Sequence, residues 1–195
     1  MNGHQLVMGE LECYVTGNIL PDTHDERYRQ SIAHRLLDQK EYLKEDVTTN
    51  FEIIVKTADK TSSIRIDFLI RSGEGWGMII RYAPGSIVTR RRSALALSRI
   101  TETYQIPVVV VTNGEDAEIL SGTNGDLISR GLENIPDKKT LTALVAQFGF
   151  IPVKPERADM ESRILYAFEV DDKCPCDDTT CKIIPNSPKD TSNES

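Results

Sequence analysis

Residues 64–84 read IRIDFLIRSGEGWGMIIRYAP, and the fold is decided there. Over 63–70 the residues alternate. Ile64, Ile66, Phe68 and Ile70 are predicted to face one way and Arg65, Asp67 and Leu69 the other, the period of two that marks a strand. SGEG then forms a turn, and 76–82 (WGMIIRY) a further strand. Upstream, 51–57 (FEIIVKT) is a strand rich in β-branched residues, followed by the polar turn ADKTS. Three strands joined by short turns predict an antiparallel meander.

Working outward, 26–41 carries Tyr28, Ile32, Leu36 and Leu37, with Tyr42 just beyond, on one stripe of an amphipathic helix. Thr23 or Asp25 caps it, and Glu26 lies in its first turn. Residues 1–24 read as an irregular lead-in with short extended pieces. Past the break at Pro84-Gly85, 86–104 predicts a second helix. The unbroken apolar run 106–112 (IPVVVVT) predicts a strand covered on both faces, ended by a tight turn at Asn113-Gly114. A hairpin around GTNG joins 117–120 to 126–129, and helices follow at 138–148 and 158–168, the last introduced by Pro152 and Pro155. The core order is αβββαβ, a sheet flanked by helices in the α/β (α+β) class. Residues 1–13 form a lead-in, 14–150 a folded domain, 151–170 a C-terminal helix and 171–195 a polar tail.

A chain of 195 residues, 39% hydrophobic and 27% charged, suits one domain that buries its core without disulfides or metal. The net charge of −7 excludes a protein that coats nucleic acid by bulk charge, though not a local basic site. The tail carries −3 of it. No apolar run is long enough for a membrane helix. The start, MNGHQLVMGELECYV, lacks the basic and apolar segments of a signal peptide, so a cytoplasmic protein with reduced thiols is expected.

Asp67 is the most informative residue. An acid inside an apolar strand costs several kcal/mol to bury unless it is paired or holds a cation. The plain alternative is a half-exposed strand, with Asp67 beside Arg65 or a cross-strand partner. The element order favours chemistry. It resembles the PD-(D/E)XK nucleases, in which a second-strand Asp ligates Mg²⁺ and a Glu or Gln and a Lys on the next strand supply a further ligand and a charge that activates water. Phosphodiester cleavage needs such a set to place a metal on the phosphate and hold an attacking water in line.

Within that superfamily, 14–129 resembles the N-terminal nuclease domain of type I restriction enzyme R subunits, a domain seen also in small stand-alone proteins. The resemblance rests on VTGNILPDTHDERYRQ (Gly17, Asp22, Thr23, Glu26, Arg27, Arg29, Gln30) and on IRIDFLI with Arg65 and Asp67. It rests further on IIRYAP with Ala83-Pro84 and on IPVVVVTNGEDAEIL with Thr112, Asn113 and Gly114. It implies a restriction-endonuclease-like fold over 14–150, DNA as substrate and Mg²⁺ as cofactor.

The third strand departs from that pattern. Where the family has Glu, any residue, Lys and then Ala-Pro, Ile80 and Tyr82 stand at the Glu and Lys positions. Isoleucine has no lone pair for a metal, and tyrosine is neutral near pH 7. Arg81 is expected on the other face, reaching the site only through a bulge or register shift. Glu74 comes too early, and the following RRRSALALS offers no glutamine. Glu26 and Asp67 remain as vestigial catalytic carboxylates that would bind hydrated Mg²⁺ weakly. The resemblance therefore implies a catalytically degenerate domain with a DNA-binding or regulatory role. The alternatives are an active Mg²⁺-dependent endonuclease with a relocated catalytic residue, and a protein-interaction module on the same scaffold.

Two further groups stand out. Arg90, Arg91, Arg92 and Arg99 lie on the predicted second helix, which the resemblance places beside the cleft, and arginine forks suit phosphate. The alternative is a solvated basic helix start paired with acidic neighbours. Cys13, Cys174, Cys176 and Cys181 offer four soft ligands for Zn²⁺ or an iron–sulfur cluster. One early and three late cysteines resemble the iron–sulfur staple of exonucleases in the same superfamily, although the spacing here is CxC, not CxxC. The alternative is a tail of free thiols. His4, His24 and His34 form no ligand pattern, and His34 is expected to be partly buried in its helix.

Overall fold

A computed structural model of the chain describes residues 6–57 and 61–169. Its elements are β1 (Glu10–Glu12), β2 (Ile19–Pro21), α1 (His24–His34), β3 (Val47–Lys56), β4 (Thr61–Ser72), β5 (Gly75–Tyr82) and α2 (Arg91–Ile100). These are followed by β6 (Tyr104–Gln105), β7 (Val108–Thr112), β8 (Ala117–Ser121), β9 (Leu127–Arg130), α3 (Lys138–Phe148), β10 (Ile151–Pro152) and α4 (Pro155–Glu169). Six strands form one mixed sheet in the order β3-β4-β5-β7-β8-β9. Within it β5 and β7 run parallel and every other pair antiparallel. A parallel pair needs a crossover, and α2 supplies it. The expected meander, the crossover helix and the hairpin are all present, and the α/β architecture is the one read from the sequence.

The sheet separates two cores. Phe68, Ile70, Met78, Ile80, Val108 and Val110 pack beneath α1 and α3, through Ile32, Ala33 and Leu141. Ile64, Ile66, Leu69, Ile79, Val109 and Val111 pack beneath α2 and α4, through Ala94, Leu97 and Leu165. Val108 to Val111 are fully buried, as an unbroken apolar run on a doubly covered strand requires.

One expectation is corrected here. Ile64, Ile66, Phe68 and Ile70 do not share a face. The first two belong to the α2–α4 core and the last two to the α1–α3 core. The cause lies across the ladder. Thr49 pairs with Phe68 and Phe51 with Ile66, while Asn50 and Asp67 between them form no ladder pair. Asn50 is left-handed, with φ of 53°, a conformation that asparagine tolerates better than other non-glycine residues. Both strands turn over at this point, and the side-chain alternation of β4 changes phase at Asp67.

Helix α1 starts where its caps dictate. The Thr23 hydroxyl accepts from the Glu26 amide at 3.1 Å, and Asp25 and Glu26 face the positive end of the helix dipole. The helix continues as a π-turn over Arg35–Gln39. His34 is exposed and not partly buried as expected. Its ring stacks on Tyr14 with centroids 3.6 Å apart, and Nδ1 lies 3.0 Å from Asp38 Oδ2. Helix α2 is shorter than 86–104. It lacks a side-chain cap and opens with a 3-10 turn at Val88–Arg90, while Tyr104 and Gln105 leave it to pair with β10. Helix α3 has the expected limits, and α4 starts at Pro155, where a proline costs no helical hydrogen bond.

Candidate functional site

At the C-terminal end of β5, α1 lies over the turnover point of β4. Asp67 is 2% exposed. Its Oδ1 accepts from Arg29 Nε at 2.7 Å and its Oδ2 from the backbone N–H of Tyr82 at 2.9 Å. The β4–β5 ladder ends at Phe68 and Ile80, so the Asp67 carboxylate satisfies the amide that a continuing ladder would have paired. Glu26, 6% exposed, accepts from Arg29 Nη1 at 3.3 Å and from Gln30 Nε2 at 2.8 Å. One guanidinium therefore joins the two carboxylates that the sequence singles out. Burial pulls that guanidinium down, but Asp67 and then Glu26 outweigh it and hold Arg29 above its ordinary range.

The β5 positions behave as their chemistry requires. Ile80 is fully buried in the α1–α3 core. The Tyr82 hydroxyl donates to Asp25 Oδ1 at 2.9 Å, and its ring lies near Tyr28 (5.8 Å) and beneath Arg29 (5.2 Å). Burial, then the hydrogen bond to Asp25, raises the Tyr82 phenol well above its ordinary value, so it stays neutral.

Arg81 is a correction. It reaches the site, with Nη1 3.4 Å from Asp67 Oδ2 and also donating to the Arg65 carbonyl, and with Nη2 3.1 Å from Glu169 at the end of α4. The irregularity that permits this lies in β4 at Asp67, not in β5. Arg65 stands at the exposed rim. Desolvation, then repulsion from Arg29, lowers its guanidinium, and no described side chain accepts a hydrogen bond from it.

These donors do not fit a divalent cation. Both Asp67 oxygens and both Glu26 oxygens already accept hydrogen bonds, a guanidinium stands between the two carboxylates, and Ile80 offers no donor. Among the described residues no group of three or more His, Cys, Asp or Glu side chains is placed to hold a metal. Cys13 is 2% exposed within the α1–α3 core, and Cys174, Cys176 and Cys181 lie outside the described residues.

The arginine patch is placed elsewhere. Arg91 grips Glu118 on β8 through Nε and Nη2, both at 2.5 Å. Arg92 and Arg99 meet Glu161 on α4 at 2.6 and 2.8 Å. Three of the four arginines thus tie α2 to β8 and α4, on the sheet face opposite α1. They are not set beside the Asp67 cleft. Arg90 is half-buried at the start of α2.

Arg29 and Gly114 are named in the sequence reading only as motif residues, without a role, and Glu169 is not named there. Arg29 follows Glu26 by three positions, which puts both on one helix face, and that spacing is a usable signal. Glu169 has none. Gly114 holds a different role. With φ of 90° it lies against the Tyr28 ring, where a Cβ would collide. Asn113 Oδ1 caps the turn by accepting from the Glu115 and Asp116 amides, and its Nδ2 reaches the Gly85 carbonyl. The TNG stretch therefore seats α1 and the turn after β5 together.

The family model for the type I restriction enzyme R protein N terminus matches residues 24–136, from the first residue of α1 through the whole six-stranded sheet. No curated protein and no solved structure matches the chain. With more than half its length under that match, and with the sheet, crossover and capped first helix described above, the chain belongs to the type I restriction enzyme R protein N-terminal family.

Proposed function

We propose that this chain is a non-cleaving member of its family that contacts DNA. The observation that carries the reading is the Arg29 guanidinium lodged between Glu26 and Asp67. A cleaving site needs a Lewis acid there and a basic or cationic group to handle the attacking water. A guanidinium is a permanent cation with no vacant coordination position, and it holds its protons at any physiological pH. Ile80 and Tyr82 supply neither ligand nor base. The role left to the site is recognition. Arg65 presents at the rim a fork that no described side chain pairs with, next to Arg29 and Arg81, and planar forks suit phosphodiester oxygens.

One observation favours a second reading, an active endonuclease with a relocated charge. Arg81 brings a cation to Asp67 that Tyr82 does not. That reading requires Arg29 to withdraw so that Glu26 and Asp67 can take Mg²⁺.

The test is plasmid nicking in Mg²⁺ and in Mn²⁺, with wild type and Asp67→Ala, alongside fluorescence anisotropy on duplex DNA over a salt series. We expect no cleavage, and weak binding that falls with salt and weakens in Arg65→Gln. Wild-type cleavage abolished by Asp67→Ala would establish the second reading. No binding even at low salt would point to a protein-interaction role.

A further inference from the structure

The parallel pair β5–β7 has two ends. Asp67 lies at the Tyr82–Thr112 end. Beyond the other end, marked by Met78, Val108 and Ser121, a cavity of about 290 Å³ opens between β6, the turn after β8 and the segment that leads into α4. Its polar side is formed by Arg99, Thr123, Lys154 and Arg157, and its apolar side by Ile151, Pro152 and Val153.

The charges beside it do not balance. Glu161, fully buried, faces Arg92 at 2.6 Å, Arg99 at 2.8 Å and Arg157 at 2.7 Å. One carboxylate against three guanidiniums leaves two positive charges over, and Lys154 adds another at the mouth. Arg99 is only 8% exposed, and it binds Gln105 Oε1, Glu161 and the Gly122 carbonyl with its three nitrogens. Each of its terminal nitrogens keeps a second N–H. Arg157 spends Nε on Glu161, and among the described residues nothing accepts from its terminal nitrogens. Arg92 Nη1 is buried and has no partner among the described residues. Burial lowers the Arg99 guanidinium, and against the pull of Glu161 the like charges of Arg157 and Arg92 add to that lowering. Arg99 and Glu161 are buried while Arg92, Arg157 and Lys154 reach solvent, so the surplus surrounds a buried pair and is relieved when a counter-charge arrives. The construction is that of a site awaiting an anion.

We propose that this cavity binds a small phosphomonoester of nucleoside monophosphate size. Its phosphate is held by Arg157, Arg99 and Lys154, and its body rests on Ile151, Pro152 and Val153. At the cavity itself Arg99, Arg157 and Lys154 stand against Glu161, a surplus of two positive charges that a phosphate dianion matches, and its oxygens match paired N–H forks. The volume sits at the small end of ligand pockets. The site lies at the far end of the sheet from Asp67 and stands whether or not the chain contacts DNA.

The experiment is isothermal titration of the full chain at low salt with AMP, UMP, inorganic phosphate and adenosine. Wild type is compared with Arg157→Gln and Lys154→Gln, both at exposed positions, and with Arg65→Gln as the control at the other end. We expect saturable one-to-one binding of the monophosphates, weaker binding of inorganic phosphate and none of adenosine. Loss of a charged hydrogen bond at Arg157 should weaken binding at least about tenfold, and Arg65→Gln should leave it unchanged. Absence of saturable monophosphate binding overturns the proposal. So does binding that survives both Arg157→Gln and Lys154→Gln, or that is lost in Arg65→Gln instead.

Discussion

Arg29 Nε donates to Asp67 Oδ1 at 2.7 Å, joining residues 38 positions apart, and its Nη1 reaches Glu26 in the same gesture. The cation between the two acids is therefore a covalent part of the chain. Its position does not depend on metal concentration, and its removal is a matter of mutation.

Removing Asp67 should be costly. Asp67→Ala leaves Arg29 and Arg81 without their shared counter-charge and orphans the Tyr82 amide. Breaking a buried pair from one side costs about 3–5 kcal/mol. Urea denaturation should show a loss at the lower end of that range, since Arg29 keeps Glu26.

Restoring the missing acid should not by itself restore a metal site. Ile80→Glu places a carboxylate in the α1–α3 core, beside a site already occupied by Arg29. It should lower the melting temperature with or without Mg²⁺. With Arg29→Gln added, the guanidinium between Glu26 and Asp67 is gone and Arg81 alone faces the carboxylates, so Mg²⁺ should then raise the melting temperature. Thermal melts of both variants with and without the ion check this.

Acid stability should depend on Glu118 and Glu161. The Arg91 fork holds Glu118 below its ordinary value of 4.5. For Glu161 burial acts upward, but the guanidiniums of Arg92 and Arg99 beside it prevail, so it too lies low. A folded value below the unfolded one means that the stabilisation is complete above the unfolded value and fades as pH falls through the folded one. Chemical denaturation from pH 7 to pH 3 should show stability falling below about pH 4.5. Glu118→Gln should be less stable at neutral pH, with a shallower acid limb.

Gly114→Ala should disturb α1 from a distance. The left-handed backbone and the collision with Tyr28 together should cost at least about 1–2 kcal/mol. Because Tyr28 packs near Tyr82, the near-ultraviolet circular dichroism should change as well.

At Asn50 the backbone, more than the side chain, sets the outcome. Asn50→Gly keeps the left-handed conformation and should be close to neutral, while Asn50→Val should cost about 1–2 kcal/mol. Equilibrium unfolding of the two variants separates them.

Local signals carried much of the architecture. The run at 106–112 declares a doubly covered strand by composition alone. Helix α3 declares its own limits, because Asp137 caps its first turn and Gly149 ends it. Thr23 does the same for α1. The faces of β4 could not be read from β4. Its alternation is regular in the sequence, and the residue that breaks it, Asn50, lies on the neighbouring strand. The partners of the arginine patch were out of reach for a related reason. Glu118 and Glu161 pair with three of its members from β8 and α4, and nothing in RRR names a partner 27 positions away. At the site, the order of elements and the family resemblance single out Glu26 and Asp67, and the structure brings both to one guanidinium. The group between them is not singled out, because a reading that seeks a metal does not count an arginine as its replacement.

The turnover at Asn50 and Asp67 also bears on how the molecule keeps to itself. Strand β3 is one edge of the sheet, ten residues long, with Ile54 in open solvent, and such a margin invites a stranger to zip onto it. A visiting segment with ordinary alternation would match one half of that margin and mismatch the other. Only a chain that flips at the same step could pair along its full length.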